Sequence, residues 1–197
     1  RVLDPSGGFV AHALFDPSSG IALRVLSLQP EPLPGYDLWL RRFADAAALR
    51  RRLFAQRPGC NAYRLCHGEG DGLPGVVVDR YDEFLVLKLD AVAWLPQLDG
   101  LVAALCANVP CRGVFFKGLR RNAGESETGR VVWGEPPPEL IDIEEDGLRF
   151  AVDVRRGQKT GFFLDQRDNR ALVRGLSRGL DVVNLFAYTG AFSVAAA

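Results

Sequence analysis

Apolar residues in this chain arrive in short runs broken by clusters of Gly, Pro and Asp, a texture of strands and turns with a few helices between them. The runs at 9–15 and 21–28 flank Asp16-Pro17-Ser18-Ser19-Gly20, where proline fixes one φ and glycine accepts the left-handed position, so a β-hairpin is predicted. Prolines at 30, 32 and 34 suit neither a sheet nor a helix, and they mark a domain boundary. Between 37 and 56, Trp39, Phe43, Ala46, Leu49 and Leu53 recur at spacings of three and four, while Arg41, Arg42, Asp45, Arg51 and Arg52 take the other face. That is an amphipathic helix with a solvated charged side. The β-branched and aromatic runs 62–66, 75–80 and 84–89 read as a meander. A helix over 93–107, strands over 113–117 and 130–133, and a hairpin of 139–144 with 148–154 turning at Glu145-Asp146-Gly147 complete an α+β module that ends near Arg156.

Beyond Arg156 the texture changes. A helix is expected over 164–176, with Asp165 as its N-cap and Arg167 and Arg170 in solvent. Residues 181–187 are a nearly continuous apolar strand, followed by a turn holding Gly190 and a new helix. Strand, glycine turn and helix open a doubly wound nucleotide-binding domain. This turn has one glycine and bulky Tyr188 and Phe192, so the G-x-G-x-x-G backbone approach to a pyrophosphate is not available. Nicotinamide and flavin cofactors are disfavoured, and an adenosine ligand without a diphosphate, S-adenosylmethionine, suits the turn better.

Composition narrows the partners. Lys plus Arg and Asp plus Glu both number 24, giving zero net charge at pH 7, so nucleic acid can be met only through local patches. Arg112, Lys117, Arg120, Arg121 and Arg130 crowd one loop region and form the candidate RNA-facing patch. With 48% hydrophobic residues the chain is an ordinary globular one. Cys60, Cys66, Cys106 and Cys111 match neither a zinc ribbon nor a C-x-x-C site, so no metal is expected, and reduced thiols point to the cytoplasm. The longest uncharged run, 182–197, is too short and too interrupted for a membrane span. A homodimer is neither demanded nor excluded. The chain holds no Met, opens at Arg1 and closes in three alanines without a helix stop, so a fragment of a longer protein is expected.

Gly157-Gln158-Lys159-Thr160-Gly161-Phe162-Phe163-Leu164-Asp165-Gln166-Arg167, followed by Asn184-Leu185-Phe186-Ala187-Tyr188-Thr189-Gly190-Ala191-Phe192-Ser193, closely resembles class I S-adenosylmethionine-dependent ribosomal RNA methyltransferases of the large-subunit cytosine-5 type. The stretch from Gly68-Glu69-Gly70-Asp71-Gly72 to Asp79 is similar to the same family's central-domain signature. The resemblance implies an α+β fold in three parts: the end of a PUA-like β-barrel over 1–34, a central α+β domain over 35–156, and the truncated start of a Rossmann-like α/β methyltransferase domain from 157. It places Thr160, Phe163, Asp165, Arg167, Asn184, Phe186, Tyr188 and Gly190 at the S-adenosylmethionine pocket. More distant class I enzymes carry an acid where Asn184 stands and glycine where Tyr188 stands.

The implied reaction is methylation of carbon 5 of a cytosine in ribosomal RNA, which needs a thiolate to add at carbon 6. In the family that cysteine lies in the later half of the catalytic domain, so no catalytic residue is assigned, and the chain alone is expected to be inactive. The competing reading is a non-catalytic RNA-binding protein with a vestigial methyltransferase domain.

Overall fold

The computed structural model describes residues 1–57, 59–119 and 129–197. Three strands, β1 (Val2–Leu3), β2 (Phe9–Phe15) and β3 (Leu23–Ser27), form a small antiparallel sheet in chain order. Asp16 makes the predicted turn. Its carboxylate accepts from the Ser18 amide and hydroxyl, and from the Val92 amide at 2.9 Å, so the hairpin is tied to the next module.

That module is built on a five-stranded mixed sheet: β4 (Ala62–His67), β5 (Val76–Tyr81), β6 (Phe84–Leu89), β7 (Gly113–Leu119) and β8 (Arg130–Gly134), in spatial order. All neighbours are antiparallel except β6 and β7, which run parallel because a helical crossover joins them. Helices α1 (Tyr36–Phe54) and α2 (Leu98–Asn108) cover one face, burying Trp39, Phe43, Trp94 and Leu101 against Val76, Val78 and Leu87. Leu26 of β3 joins this core, so the first hairpin packs on the module.

Alternation along each strand sends the other residues to the opposite face. There Ala62, Tyr81, Phe84, Val86 and Phe115 are buried under a separate hairpin, β9 (Ile141–Glu145) and β10 (Leu148–Val152), and under Phe162 and Leu164. The 157–166 segment is thus clamped against the sheet. Helix α3 (Arg167–Leu176) and the short α4 (Ala191–Ala196) follow.

Five sequence expectations are revised. Pro96, with no amide hydrogen to donate, leaves 92–97 as a tighter turn, and α2 starts only at Leu98. Arg42 is not solvated but donates to the carbonyls of Leu26 and Gly72, and Leu53 is exposed while Phe54 stacks on Tyr63 at 4.4 Å. Asp165 caps no helix: α3 begins after a 3-10 turn (Leu164–Gln166), and Asp165 accepts from Lys159 instead. Arg167 and Arg170, expected in solvent, are buried. The 181–187 segment forms no strand. A parallel strand draws its hydrogen bonds from neighbours, and no strand lies alongside it among the described residues. Leu185 and Phe186 are consequently exposed, and positive φ at Phe186 and Tyr188 breaks the extended backbone.

Candidate cofactor site

A cavity of about 630 Å³ opens between the 158–170 stretch and the 186–192 turn. Gln158, Lys159 and Gln166 supply its polar side, and Phe162, Phe163, Phe186, Tyr188 and Phe192 its aromatic side. The loop folds tightly because Gly157 allows it. A Cβ there would sit 2.4 Å from the Asp153 carbonyl oxygen, so no other residue fits without moving backbone. Tyr188 fastens the two sides together: the Gln158 amide donates to its hydroxyl at 2.7 Å, and its ring meets Phe163 edge-on at 5.4 Å. Tyr188 and Lys159 hold this arrangement with φ of 52° and 53°, a strained region for side chains larger than Asn, and such strain gathers at binding sites.

Beneath the loop runs a buried chain of hydrogen bonds with one direction. The Phe162 amide donates to the Tyr81 hydroxyl at 3.1 Å, Tyr81 lies 2.9 Å from Thr160 Oγ1, and Thr160 donates to Asp79. Since Thr160 gives its proton to the carboxylate, Tyr81 must donate to Thr160. Arg64 closes the chain, gripping both Asp79 oxygens at 2.8 and 3.0 Å. A second clamp lies on the other side: Arg170 pairs with both oxygens of the buried Glu145 at 2.6 and 2.7 Å and donates to the Phe163 carbonyl at 3.0 Å.

Of the sequence-predicted positions, the structure brings Phe163, Phe186 and Tyr188 together on the cavity wall, with Gly190 between the wall residues Thr189 and Ala191. Gly190 has φ +77° and nothing within 4 Å of where a Cβ would stand. Thr160 is turned into the buried chain, Arg167 is buried with its guanidinium 4.9 Å from the Phe54 ring, and Asn184 donates to Ser193 Oγ at 2.8 Å. Asp165 faces a second cavity. Burial raises its carboxyl, but hydrogen bonds from Lys159, its own amide and Gln166, with the Lys159 charge, together outweigh that and hold it below the ordinary range. Sequence reasoning missed Asp79, Tyr81 and Arg170. The signal for the first was a lone carboxylate at the end of the run Val76-Val77-Val78.

The described residues of the expected RNA patch are engaged by neighbours. Arg112 sits between Glu83 and Glu135 with its guanidinium 5.5 Å from the Phe84 ring, and Arg130 lies 5.9 Å from the Phe116 ring. Lys117 donates to the Gly157 carbonyl, and burial pushes its ammonium down to about 8. Arg120 and Arg121 lie outside the described residues. None of the four cysteines lines the cavity. Burial pushes Cys66 up to about 12 and raises Cys60. No group of His, Cys, Asp and Glu among the described residues could hold a metal ion.

An aromatic-walled cavity bounded by amides and an ammonium, set where a mixed α/β fold meets a glycine turn, defines a small-molecule cofactor protein of the nucleotide-binding class. The S-adenosylmethionine-dependent methyltransferase family matches residues 51–197, and the chain belongs to that family. A curated relative, ribosomal RNA large subunit methyltransferase I of Yersinia pseudotuberculosis, is 41% identical over 198 residues, which cover 99% of this chain and 50% of the relative. The chain therefore spans about half the length of the curated relatives it matches. Two solved structures superpose well. One, described as a SAM-dependent methyltransferase from Streptococcus mutans, has TM-score 0.83 and 30% identity over 98% of this chain and 50% of its own. The other, described as a methyltransferase complexed with S-adenosylhomocysteine, has TM-score 0.85 and 28% identity over 100% of this chain and 50% of its own. S-adenosylmethionine is the family's cofactor, and the cavity suits it: aromatic faces for a purine, amides and an ammonium for a carboxylate, and open space in front of Gly190.

Proposed function

We propose that this chain belongs to an enzyme that methylates carbon 5 of a cytosine in large-subunit ribosomal RNA, in the cytoplasm where ribosomes are assembled. In this reading residues 1–34 end a PUA-like barrel, 35–156 form the central domain, and 157–197 open the Rossmann-like catalytic domain. The observation that carries it is the cavity between the two motifs, in a chain 41% identical to a relative named for methylating large-subunit ribosomal RNA.

Phe163, Phe186 and Tyr188 would enclose the adenine, and Gln158 and Lys159 would hold the methionine carboxylate. Thr160 and Arg167 would act from beneath, keeping the loop in place, and Asp165 would fix the Lys159 ammonium at the rim. Asn184 and Gly190 would set the turn that faces the cofactor. Bound S-adenosylmethionine supplies an electrophilic methyl group. Attack from cytosine requires a cysteine thiolate at carbon 6, and no cysteine of this chain is given that role because none faces the cavity.

The full-length protein containing this chain, given methyl-labelled cofactor and unmodified large-subunit ribosomal RNA, is expected to put the label into the RNA, recovered after nuclease digestion as 5-methylcytidine. Label on another nucleoside would overturn the cytosine reading. RNA that is bound but never labelled would overturn the enzyme in favour of a binding protein.

A further inference from the structure

The covered face of the five-stranded sheet changes character along its length. At one end it presents Ala62, Tyr81, Phe84, Val86 and Phe115, all buried. Toward the other end the same face presents Arg64 on β4, Asp79 on β5 and Lys88 on β6. Lys88 interrupts the otherwise apolar strand Phe84-Leu85-Val86-Leu87-Lys88-Leu89 and is only half-buried, whereas an apolar residue would simply extend the core. The 159–165 loop seals Asp79 through Thr160 but leaves Lys88 partly open. It leaves a second cavity of about 670 Å³, lined by Arg64, His67, Lys88, Asp90, Lys159 and Asp165 among others.

Two features give this cavity a use. Lys159 lines both cavities, so the two adjoin across one side chain. Methyl transfer is a direct displacement, and the acceptor atom must come within bonding approach of the methyl group. An acceptor site must therefore adjoin the cofactor site, and this cavity does. The lining sets the cations Arg64, Lys88 and Lys159 among the carboxylates Glu69, Asp90 and Asp165, a mixed polar surface able to meet both a phosphate and the donor edges of a base. Lys88 and Lys159 are each held by one partly exposed carboxylate, Asp90 at 2.7 Å and Asp165 at 3.2 Å, so ammonium donors are preset at its edge. Lys117 lies on the neighbouring strand β7, paired in parallel with β6, where the two ammonium groups repel weakly, and an anion would relieve that repulsion.

We propose that this second cavity receives the acceptor strand of the RNA, with a phosphodiester oxygen at Lys88 and the target base directed past Lys159 toward the cofactor. The inference rests on the reading of RNA as substrate. It differs from the patch expected from sequence, whose described members Arg112, Lys117 and Arg130 do not line this cavity.

The test is fluorescence anisotropy of a short labelled single-stranded RNA with the full-length protein across a range of KCl. Lys88→Ala is expected to weaken binding about fivefold and to make the log–log salt slope shallower by about 0.7, the loss of one phosphate contact on a single strand. Lys88→Arg is expected to restore both, and S-adenosylhomocysteine titrated by calorimetry should bind Lys88→Ala as it binds the wild type. Should the alanine variant lose its circular dichroism spectrum, Lys88→Gln is read in its place. Wild-type affinity and slope in the neutral variant would overturn the proposal. Methyl transfer to RNA without any response to Lys88 removes this cavity and keeps the function, whereas a response to Lys88 without methyl transfer keeps the cavity and removes the function.

Discussion

The Tyr81 hydroxyl lies 2.9 Å from Thr160 Oγ1, joining the middle of the central sheet to the loop that walls the cofactor cavity. Burial raises the Tyr81 phenol well above its ordinary range, so it remains protonated and able to donate. Tyr81→Phe removes a donor from Thr160 and the acceptor of the Phe162 amide, both buried. We expect a loss of about 1–3 kcal/mol in chemical denaturation. Because Phe162 and its neighbour Phe163 wall the cavity, S-adenosylhomocysteine affinity should also fall, by about tenfold, in a variant shown to be folded. A destabilised variant with unchanged affinity would mean that the chain of bonds serves stability alone.

Most of the scaffold could be read from periodicity. The α1 face, the β4–β6 meander and both hairpins appear where alternation and turn residues put them, because each is decided by neighbours a few positions away. The errors share a cause. A charged residue is usually solvated, but Arg167 and Arg170 are buried, and Arg42 half-buried, by partners far along the chain, such as Glu145 for Arg170. The 181–187 run was expected as a strand because periodicity reports burial and says nothing about which neighbour supplies the hydrogen bonds. The candidate site divides in the same way: the motif residues were visible in sequence, while Asp79 and Tyr81 reach the loop only through the sheet's pairing.

Arg170 and Glu145 form the second clamp on the loop, and both are almost fully buried. Removing one partner of such a pair strands a charge in low dielectric. Arg170→Ala would leave Glu145 only Arg167, 3.4 Å away, so a cost at the low end of about 3–5 kcal/mol is expected, with a matching fall in thermal midpoint. A cost below about 1 kcal/mol would mean that water reaches Glu145 and that the clamp is looser than the geometry implies.

Lys117 gives stability a pH dependence. Burial lowers its ammonium to about 8 in the folded protein, with Lys88 adding to the effect and Asp153 opposing it, against an ordinary value of 10.5. Between those two values the unfolded chain binds more protons, so this residue makes stability rise with pH from about 8 to about 10.5 and contributes no slope below that window. Lys117→Gln should flatten the rise by about 1 kcal/mol, since water screens the open side of the half-buried ammonium. Identical pH profiles for the two proteins between those limits would show that the ammonium is not desolvated.

The cysteines should differ sharply in reactivity, because the thiolate is the reacting form. Cys106 and Cys111 are close enough to couple, the first thiol rising and the second falling beside Arg80, while burial pushes Cys66 up to about 12. Iodoacetamide near neutral pH, followed by peptide mapping, is expected to modify Cys111 first and Cys66 last. Early labelling of Cys66 would show that the core around β4 opens to solvent.

Gly190 is the sharpest test of the cofactor turn. Its φ of +77° suits glycine and is costly for a β-branched residue, yet nothing stands within 4 Å of the position a Cβ would take. Gly190→Ala should therefore lose only about 1 kcal/mol of stability, because the added methyl enters free space and the cost is backbone strain alone. Gly190→Val adds bulk to the same space between Thr189 and Ala191, where the cofactor is expected. Calorimetric titration with S-adenosylhomocysteine should show a modest loss for alanine and no measurable binding for valine, with RNA affinity nearly unchanged in both because Lys88 lies in the other cavity. If folded Gly190→Val bound S-adenosylhomocysteine as the wild type does, the turn would be ordinary helix-start geometry, and the cofactor would have to lie against the Phe163 side of the cavity without it.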